Sequence, residues 1–171
     1  MDGIEKEMSE EKRIRLYLDT SVPSAYYDTS KPLRQLITQK WFEYEAFSYE
    51  LYISVITVEE ISKVKNDIKR QNISELTVKY EMKLLDLSGE AKDLADEYMN
   101  RGAIPKSEPQ DAYHIAIATV NELDALASWN FKHIVSINPI RKIHEINRKY
   151  NLSAIEIGSP EIFGGAKYGN I

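Results

Sequence analysis

The chain has 171 residues, of which 43% are hydrophobic and 29% charged, and its net charge is -5. This length and composition fit one globular domain with its own hydrophobic core. The absence of cysteine excludes disulfides, thiolate metal sites and thiol nucleophiles, and no apolar run reaches the roughly 18–20 residues that a membrane helix needs. The charged N-terminus lacks an apolar signal core, so we expect a cytoplasmic protein.

Basic residues are concentrated in two segments despite the acidic total. One segment contains Lys63, Lys65, Lys69 and Arg70, and the other contains Arg141, Lys142, Arg148 and Lys149. A general electrostatic binder of nucleic acid is usually basic overall, which this chain is not. The two segments are either solvated helix faces or local contacts for nucleic acid, and charge alone does not decide between these interpretations.

Strand patterns alternate with helical patterns along the chain. We predict strands at 14–18, 51–55, 83–87, 125–128 and 154–157. Helices are predicted at about 32–49, 57–70, 73–81, 89–101 and 107–121 and from 138 onward, the first with an apolar stripe of Leu33, Leu36, Ile37, Trp41, Tyr44 and Phe47. Residues 1–12 are predicted to be a flexible leader, 13–158 the globular domain and 159–171 a loose tail. This order predicts an α/β fold, a three-layer α/β/α sandwich around a parallel sheet of about five strands.

Four polar side chains follow strands or open helices, where parallel sheets collect functional groups. Asp19 follows the first strand, Glu60 comes soon after the second, Asp111 opens a largely apolar helix and Asn130 follows the fourth strand. Each acid also has a structural explanation: a turn residue for Asp19, a capping box Thr57-x-x-Glu60, and a favourable first-turn charge for Asp111, whose helix opens with a second box, Ser107-x-x-Gln110. Clustered carboxylates nevertheless repel one another unless a cation is present, and Mg²⁺ and Mn²⁺ prefer oxygen ligands. The pattern therefore predicts a metal site at this edge of the sheet.

Four segments carry a family resemblance: LYLDTS at 16–21, SVITVEEI at 54–61, DAYHIAIA at 111–118 and LASWNFKHI at 126–134. In this order and spacing they resemble the PIN-domain family, and most nearly its VapC-like members from bacterial and archaeal toxin–antitoxin systems. The likeness extends from about Ile14 to Ile157. It implies an Mg²⁺- or Mn²⁺-dependent endoribonuclease with an α/β/α sandwich, which leaves 5′-phosphate and 3′-hydroxyl ends. It also implies a toxin with an antitoxin protein as partner, and a homodimer.

The resemblance assigns roles to individual residues. It implies that Asp19, Glu60, Asp111 and Asn130 are catalytic and that the first three are metal ligands. Glu59 is the disfavoured neighbour of Glu60, because one residue turns a side chain by about 100° around a helix. Asn130 departs from the Asp that commonly occupies the fourth position, although SWNFKHI resembles a sub-group that carries this Asn. Ser21 matches a position that supports the first acid by hydrogen bonding.

Three further side chains near these motifs have more than one interpretation each. His114 lies three residues after Asp111 on the same helix face, so it either orients that carboxylate, contacts substrate, or packs as a hydrogen-bonded core residue. Trp129 and Phe131 flank Asn130 and either stack on bases or pack in the core. No histidine pair has the spacing of a zinc site.

Two rival functions remain open. The first is a catalytically weak PIN-like module that binds RNA or a protein, which Asn130 favours because an amide carries no charge. The second is a phosphatase with a nucleophilic Asp19 of the haloacid dehalogenase type. That class needs a second Asp two residues later, and Ser21 stands there.

Overall fold

The computed structural model describes residues 12–164, so residues 1–11 of the predicted leader and 165–171 of the predicted tail lie outside the described residues. The strands are β1 (Ile14–Leu18), β2 (Tyr49–Ser54), β3 (Lys83–Leu85), β4 (Ala125–Ala127) and β5 (Glu156–Gly158). The helices are α1 (Ser21–Ala25), α2 (Pro32–Tyr44), α3 (Val55–Ser62), α4 (Asp67–Lys79), α5 (Gly89–Asn100), α6 (Pro109–Val120) and α7 (Ile137–Lys149). Short 3₁₀ turns occur at Ala46–Ser48 and Pro160–Phe163. Within the described residues, no helix is both long and apolar enough to cross a membrane.

The five strands form one parallel sheet in the order β3-β2-β1-β4-β5. From β1 the chain adds β2 and β3 on one side of the sheet, and it then adds β4 and β5 on the other side of β1. The strand order therefore reverses between β1 and β4. Leu18 pairs with Ala127 at their ends, and the Asp19 N–H donates to the Ala127 carbonyl at 3.2 Å. Ligand sites of open parallel sheets form at such a switch point, beyond the carboxyl ends of the strands.

A separate hydrophobic core covers each face of the sheet. Successive strand residues point to opposite faces, so Tyr17 packs in the core that contains α5, α6 and α7. Its neighbours Leu16 and Leu18 pack in the other core, with residues of α1, α2 and α4. The predicted α/β/α sandwich with a five-stranded parallel sheet is therefore confirmed.

Helix α6 is enclosed by the protein on almost every side. From Ala112 to Thr119, only Tyr113 is not fully buried. Such a helix cannot rotate or slide without disrupting the core, because protein interiors are close-packed. The first turn of α6 is therefore held in a fixed position at the edge of the sheet.

The predicted apolar stripe of α2 is wrong at four of its six positions. The stripe members Leu33, Leu36, Tyr44 and Phe47 have exposed fractions between 49% and 71%, whereas Trp41 is buried and Ile37 packs against the core as predicted. The helix also buries Thr38 and Phe42, and it ends at Tyr44, five residues earlier than predicted. Its face is set by long-range contacts, since the Trp41 indole N–H donates to the Phe163 carbonyl at 3.2 Å. The beginning of the predicted tail thus packs against α2.

The predicted capping boxes are also wrong. Ser54 caps α3, with its Oγ accepting from the Ile56 N–H at 3.2 Å while Thr57 Oγ1 accepts from the Ser54 N–H at 3.3 Å. Thr57 is therefore the third residue of α3, and Glu60 lies a turn beyond the capping position. The box at Ser107 does not form either, because Glu108 precedes α6 without a side-chain cap.

The predicted helix at 57–70 is two helices. Helix α3 ends at Ser62 and α4 begins at Asp67, so the predicted helix at 73–81 is the second half of α4. The side chain of Asn66 marks the new start, since its Oδ1 accepts from the Lys69 N–H at 2.9 Å.

Candidate active site

Asp19 is buried where β1 ends, with 4% of its surface exposed. Its Oδ1 accepts from the Ser21 N–H at 3.1 Å and from the Ser21 hydroxyl, and its Oδ2 accepts from Ser128 Oγ at 2.5 Å. Burial raises the pKa of Asp19, whereas the charge of His114 and the two serine hydroxyls lower it. The hydroxyls of Ser21 and Ser128, which follow β1 and β4, thus fix the orientation of a carboxylate that is shielded from water.

Glu60 points inward and Glu59 points outward, which is the register that we predicted for α3. Glu60 Oε1 accepts from His114 Nε2 at 2.6 Å and from Thr20 Oγ1 at 2.9 Å. Glu59 is exposed and pairs with Lys63 at 3.1 Å. Burial raises the pKa of Glu60, but the hydrogen bond and charge of His114 outweigh burial and the net shift is downward. Glu60 is thus a carboxylate stabilised in its ionised form.

His114 belongs to a buried polar chain that crosses from α6 to β2. Its Nδ1 lies 2.6 Å from the Tyr17 hydroxyl, which lies 2.7 Å from Ser54 Oγ. His114 is 2% exposed and hydrogen-bonds to Glu60 rather than to Asp111, so of its three interpretations the packed, hydrogen-bonded core residue is the one that the structure supports. Full burial raises the pKa of Tyr17, so its hydroxyl is neutral.

Asp111 lies in the first turn of α6, close enough to Asp19 for their charges to interact. Burial and, after it, the negative charge of Asp19 together raise the pKa of Asp111 to about 6. Its Oδ2 accepts from Asn130 Nδ2 at 3.0 Å. Two acids at the switch point therefore oppose each other's ionisation.

Asn130 uses both ends of its amide within the protein. Nδ2 donates to Asp111, and Oδ1 accepts from the His133 N–H at 2.9 Å. The Asn130 carbonyl accepts from the N–H groups of Ile134 and Val135. The amide oxygen that could have faced a metal is thus occupied, and Asn130 joins Asp111 to the loop that follows β4.

Several contacts at this site were missed from the sequence. They come from Tyr17, Thr20, Ser54 and Ser128, all hydroxyl side chains. The only signal available was position, since each stands at or beside a strand end next to one of the predicted acids. Hydroxyls are common at such places for capping and turns alone, so position did not single them out.

The donor set fits a divalent cation bound mainly by two of the acids. Within residues 12–164, no three histidine, aspartate and glutamate side chains lie close enough together to share one ion. Glu60 is held by His114, which leaves Asp19 and Asp111 as a coupled pair whose pKa values are both raised. A hard divalent ion with oxygen ligands relieves this type of repulsion.

The two aromatic residues of the SWNF segment differ in accessibility. Trp129 is buried, and its Nε1 donates to Thr38 Oγ1 at 3.0 Å, so it packs in the core. Phe131 is 48% exposed and meets the Trp129 ring edge-on at a centroid distance of 6.0 Å. The Arg34 guanidinium lies over both rings, 5.7 Å from the Phe131 centroid. An exposed ring and a cation therefore stand next to Asn130.

The motifs and their geometry coincide with one known family. The family model for the PIN domain matches residues 16–130 of this chain, from β1 to Asn130. The chain belongs to the PIN domain family. The matched range holds all four predicted catalytic positions, while α7 and β5 lie outside it. No curated protein is detectably similar to the chain.

The PIN fold of this chain also has a counterpart among solved structures. One similar chain comes from the crystal structure of VapBC2 from Rickettsia felis bound to a DNA fragment from their promoter. The two chains share 15% sequence identity, the match covers 84% of this chain and 97% of that one, and the TM-score is 0.52. At this identity the likeness establishes a shared fold.

Proposed function

We propose that the protein is a metal-dependent endoribonuclease that hydrolyses RNA phosphodiester bonds and leaves 5′-phosphate and 3′-hydroxyl ends. PIN domains are typically nucleases and generally depend on divalent metal. The observation that carries the proposal is the pair formed by the buried Asp19 and the half-buried Asp111 at the switch point of the sheet, each with a raised pKa. Two interacting like charges that are shielded from water destabilise a protein, so the pair points to a task that requires it.

In this proposal Asp19 and Asp111 are the principal ligands of Mg²⁺ or Mn²⁺, Glu60 is a third and weaker ligand, and Asn130 completes the catalytic set. When bound, the ion supplies the positive charge that makes a water more nucleophilic and stabilises the leaving oxygen. The chain needs no covalent nucleophile for this chemistry. A phosphatase mechanism through Asp19 is not supported, because Ser21 stands at the position where that mechanism needs a second acid. The Ser21 N–H and the Ser21 hydroxyl both donate to Asp19 Oδ1.

The remaining side chains of the site act by positioning the acids. Ser21 and Ser128 donate to the two oxygens of the first acid, which prevents its rotation. His114 holds the second acid ionised, and Asn130 donates to the third. Each acid therefore has a partner that fixes its direction before substrate arrives, which lowers the reorganisation needed during the reaction.

We further propose that this nuclease is the toxin of a toxin–antitoxin pair, that it acts in the cytoplasm as a homodimer, and that it belongs to the sub-group with Asn at the fourth position. The support is the PIN family membership together with a fold shared with a chain of a VapBC2 complex, solved with promoter DNA. A partner reading frame adjacent to the gene and a dimer mass by light scattering are the expected observations. A monomer at micromolar concentration would contradict the homodimer.

The experiment that tests the nuclease is cleavage of labelled RNA by the wild-type protein. We expect cutting with Mg²⁺ or Mn²⁺, no cutting in EDTA, and little cutting of a DNA strand of the same sequence. End analysis should give 5′-phosphates. A reaction that proceeds equally in EDTA would contradict the proposal.

A second function is favoured by one observation. No three candidate ligands within the described residues are close enough to share an ion, and the Asn130 oxygen is occupied. A PIN-like module that binds RNA or a protein without cutting would have such a site. Metal-independent RNA binding without any cleavage would favour it.

Replacing Phe131 by Ala is expected to weaken substrate binding with little effect on folding. A base stacked on an aromatic ring contributes about 1–3 kcal/mol, so KM for RNA should rise roughly 5- to 100-fold while kcat changes little. Phe47→Ala is the matched control, since Phe47 is also exposed but lies before β2, at the opposite edge of the sheet. Equal KM values for the two variants would remove Phe131 from the substrate surface.

A further inference from the structure

A concave surface lies beside the loop that follows Asn130. It encloses about 350 Å³ between the linker from α5 to α6 and the start of α7. We name it the basic groove and define it by Lys106, Lys132, His133 and Lys142, with apolar walls from Met99 and Pro139. Among the described residues, no carboxylate lines it. A cavity of this size lies within the range of small-ligand pockets, which is about 300–1,000 Å³.

The three lysines of the basic groove carry charge that the protein does not neutralise. All three are exposed, and none has a carboxylate within ion-pair distance in the described part of the chain. Lys142 Nζ donates to the Gly102 carbonyl at 3.2 Å, which aims the ammonium group along the groove wall. In the other basic segment, by contrast, Lys63 pairs with Glu59 and Arg70 pairs with Asp67. Lys65 and Lys69 of that segment form no ion pair either within the described residues, so the basic groove is distinguished by having three unpaired lysines around one concave surface.

The basic groove is continuous with the candidate active site through His133. The His133 N–H donates to Asn130 Oδ1, and Asn130 Nδ2 donates to Asp111. His133 Nε2 lies 3.9 Å from Glu108 Oε1, and both groups are close enough to influence the charge of Asp111. The groove thus begins where the acidic site ends, and Glu108 contributes a carboxylate at that boundary.

Both walls of the basic groove are built from fixed backbone. Gly102 ends α5 in the left-handed conformation, with φ of 75°, and the Ala103 N–H donates to the Tyr98 carbonyl at 2.8 Å. On the other wall, Ser136 makes no side-chain cap to α7 and no acid stands in that helix's first turn. The uncapped N–H groups add to the positive potential that the lysines create. Rigid walls of one charge sign suit a polyanion that binds without rearranging the protein.

We propose that the basic groove binds the sugar–phosphate backbone of single-stranded RNA on one side of the bond that is cut. This inference rests on the proposed nuclease function, because the strand must continue into the acidic site. The lysines supply positive charge for the phosphates, and the apolar walls of Met99 and Pro139 supply contact for sugars and bases. A single strand exposes the faces of its bases to such walls, whereas a duplex keeps them stacked inside, so the ligand is a single strand.

The test compares two triple variants by binding and by cleavage. The groove variant is Lys106→Ala, Lys132→Ala and Lys142→Ala, and the control variant is Lys65→Ala, Lys69→Ala and Lys92→Ala, which removes the same charge elsewhere. Binding of a labelled single-stranded RNA is measured in EDTA over a range of salt concentrations. For the groove variant, we expect binding to be weaker by about 10-fold or more. The slope of log K against log salt concentration should be smaller by about two, because each phosphate contact on a single strand contributes roughly 0.7 to that slope. KM should rise accordingly with kcat nearly unchanged, and the control variant should match wild type.

The outcomes separate this inference from the proposed function. Equal losses in the groove and control variants, or a wild-type protein that binds duplex RNA as tightly as the single strand, would overturn the groove assignment. The triple substitution of the same lysines by arginine should restore binding, which excludes a folding defect. If the wild type never cuts RNA, the nuclease proposal fails, yet the binding comparison in EDTA still decides whether the groove holds a strand.

Discussion

Replacing Asp111 by Asn is expected to abolish metal-dependent cleavage and to make the metal-free protein more stable. The substitution removes one of the two coupled charges at the switch point but keeps an oxygen that can accept from Asn130 Nδ2. Loss of a metal-binding charge should lower cleavage by at least about 100-fold. Removing the repulsion between Asp111 and Asp19 should raise the free energy of unfolding in EDTA by about 1–2 kcal/mol after solvent screening, or Tm by about 2–6 °C.

The stability gain has a defined pH dependence. The pKa of Asp111 is raised from its ordinary value of 3.8 to about 6, first by burial and then by Asp19. The folded protein therefore holds this proton more tightly than the unfolded chain. The resulting stabilisation is complete below about pH 4 and is lost as pH rises through 6. The Tm difference between Asp111→Asn and wild type should accordingly be small at pH 4 and largest at pH 7.

Metal and control variants check the cause of this effect. Mg²⁺ or Mn²⁺ should raise the Tm of wild type at pH 7 and leave that of Asp111→Asn nearly unchanged. Asp67→Asn is the matched control, because Asp67 also lies in the first turn of a helix but is exposed and paired with Arg70. It should lower Tm slightly and retain cleavage. A destabilised Asp111→Asn protein would mean that this acid serves only to cap α6.

The parallel sheet and the position of the acids after strands and at helix starts could be predicted from local pattern. The strand at Ile14–Leu18 ends directly before Asp19, and an apolar helix begins two residues before Asp111. Parallel topology then brings such ends together without any knowledge of side-chain contacts. The choice of Glu60 over Glu59 is also local, because it depends only on helix rotation. These features need no information from distant parts of the chain.

The features that failed depend on contacts between distant residues. The face of α2 is fixed by Trp41 meeting Phe163, 122 positions away. His114 pairs with Glu60, 54 positions away, although Asp111 is its nearer neighbour in sequence. Asp19 accepts a hydrogen bond from the hydroxyl of Ser128, which follows β4 and is 109 positions away. A periodic pattern carries no information about which of several hydroxyls or acids will become hydrogen-bond partners when the helices pack on the sheet.

Replacing Asn130 by Asp is expected to strengthen metal binding and to destabilise the metal-free protein. The new carboxylate would keep an acceptor for the His133 N–H but would lose the 3.0 Å hydrogen bond that Nδ2 donates to Asp111. It would instead face a second negative charge at that distance. We expect Tm in EDTA to fall by about 2–6 °C, corresponding to roughly 1–2 kcal/mol.

In the presence of metal, Asn130→Asp should be favourable rather than unfavourable, because the additional negative charge attracts the cation. The Mg²⁺ or Mn²⁺ concentration at half-maximal cleavage should fall about 10-fold. Asn100→Asp makes the same chemical change on the exposed end of α5 and should alter neither quantity. Asn130→Ala removes both hydrogen bonds and adds no charge, so it should lower cleavage without lowering the metal requirement. An Asn130→Asp protein with wild-type Tm and metal requirement would show that this side chain does not face Asp111 in solution.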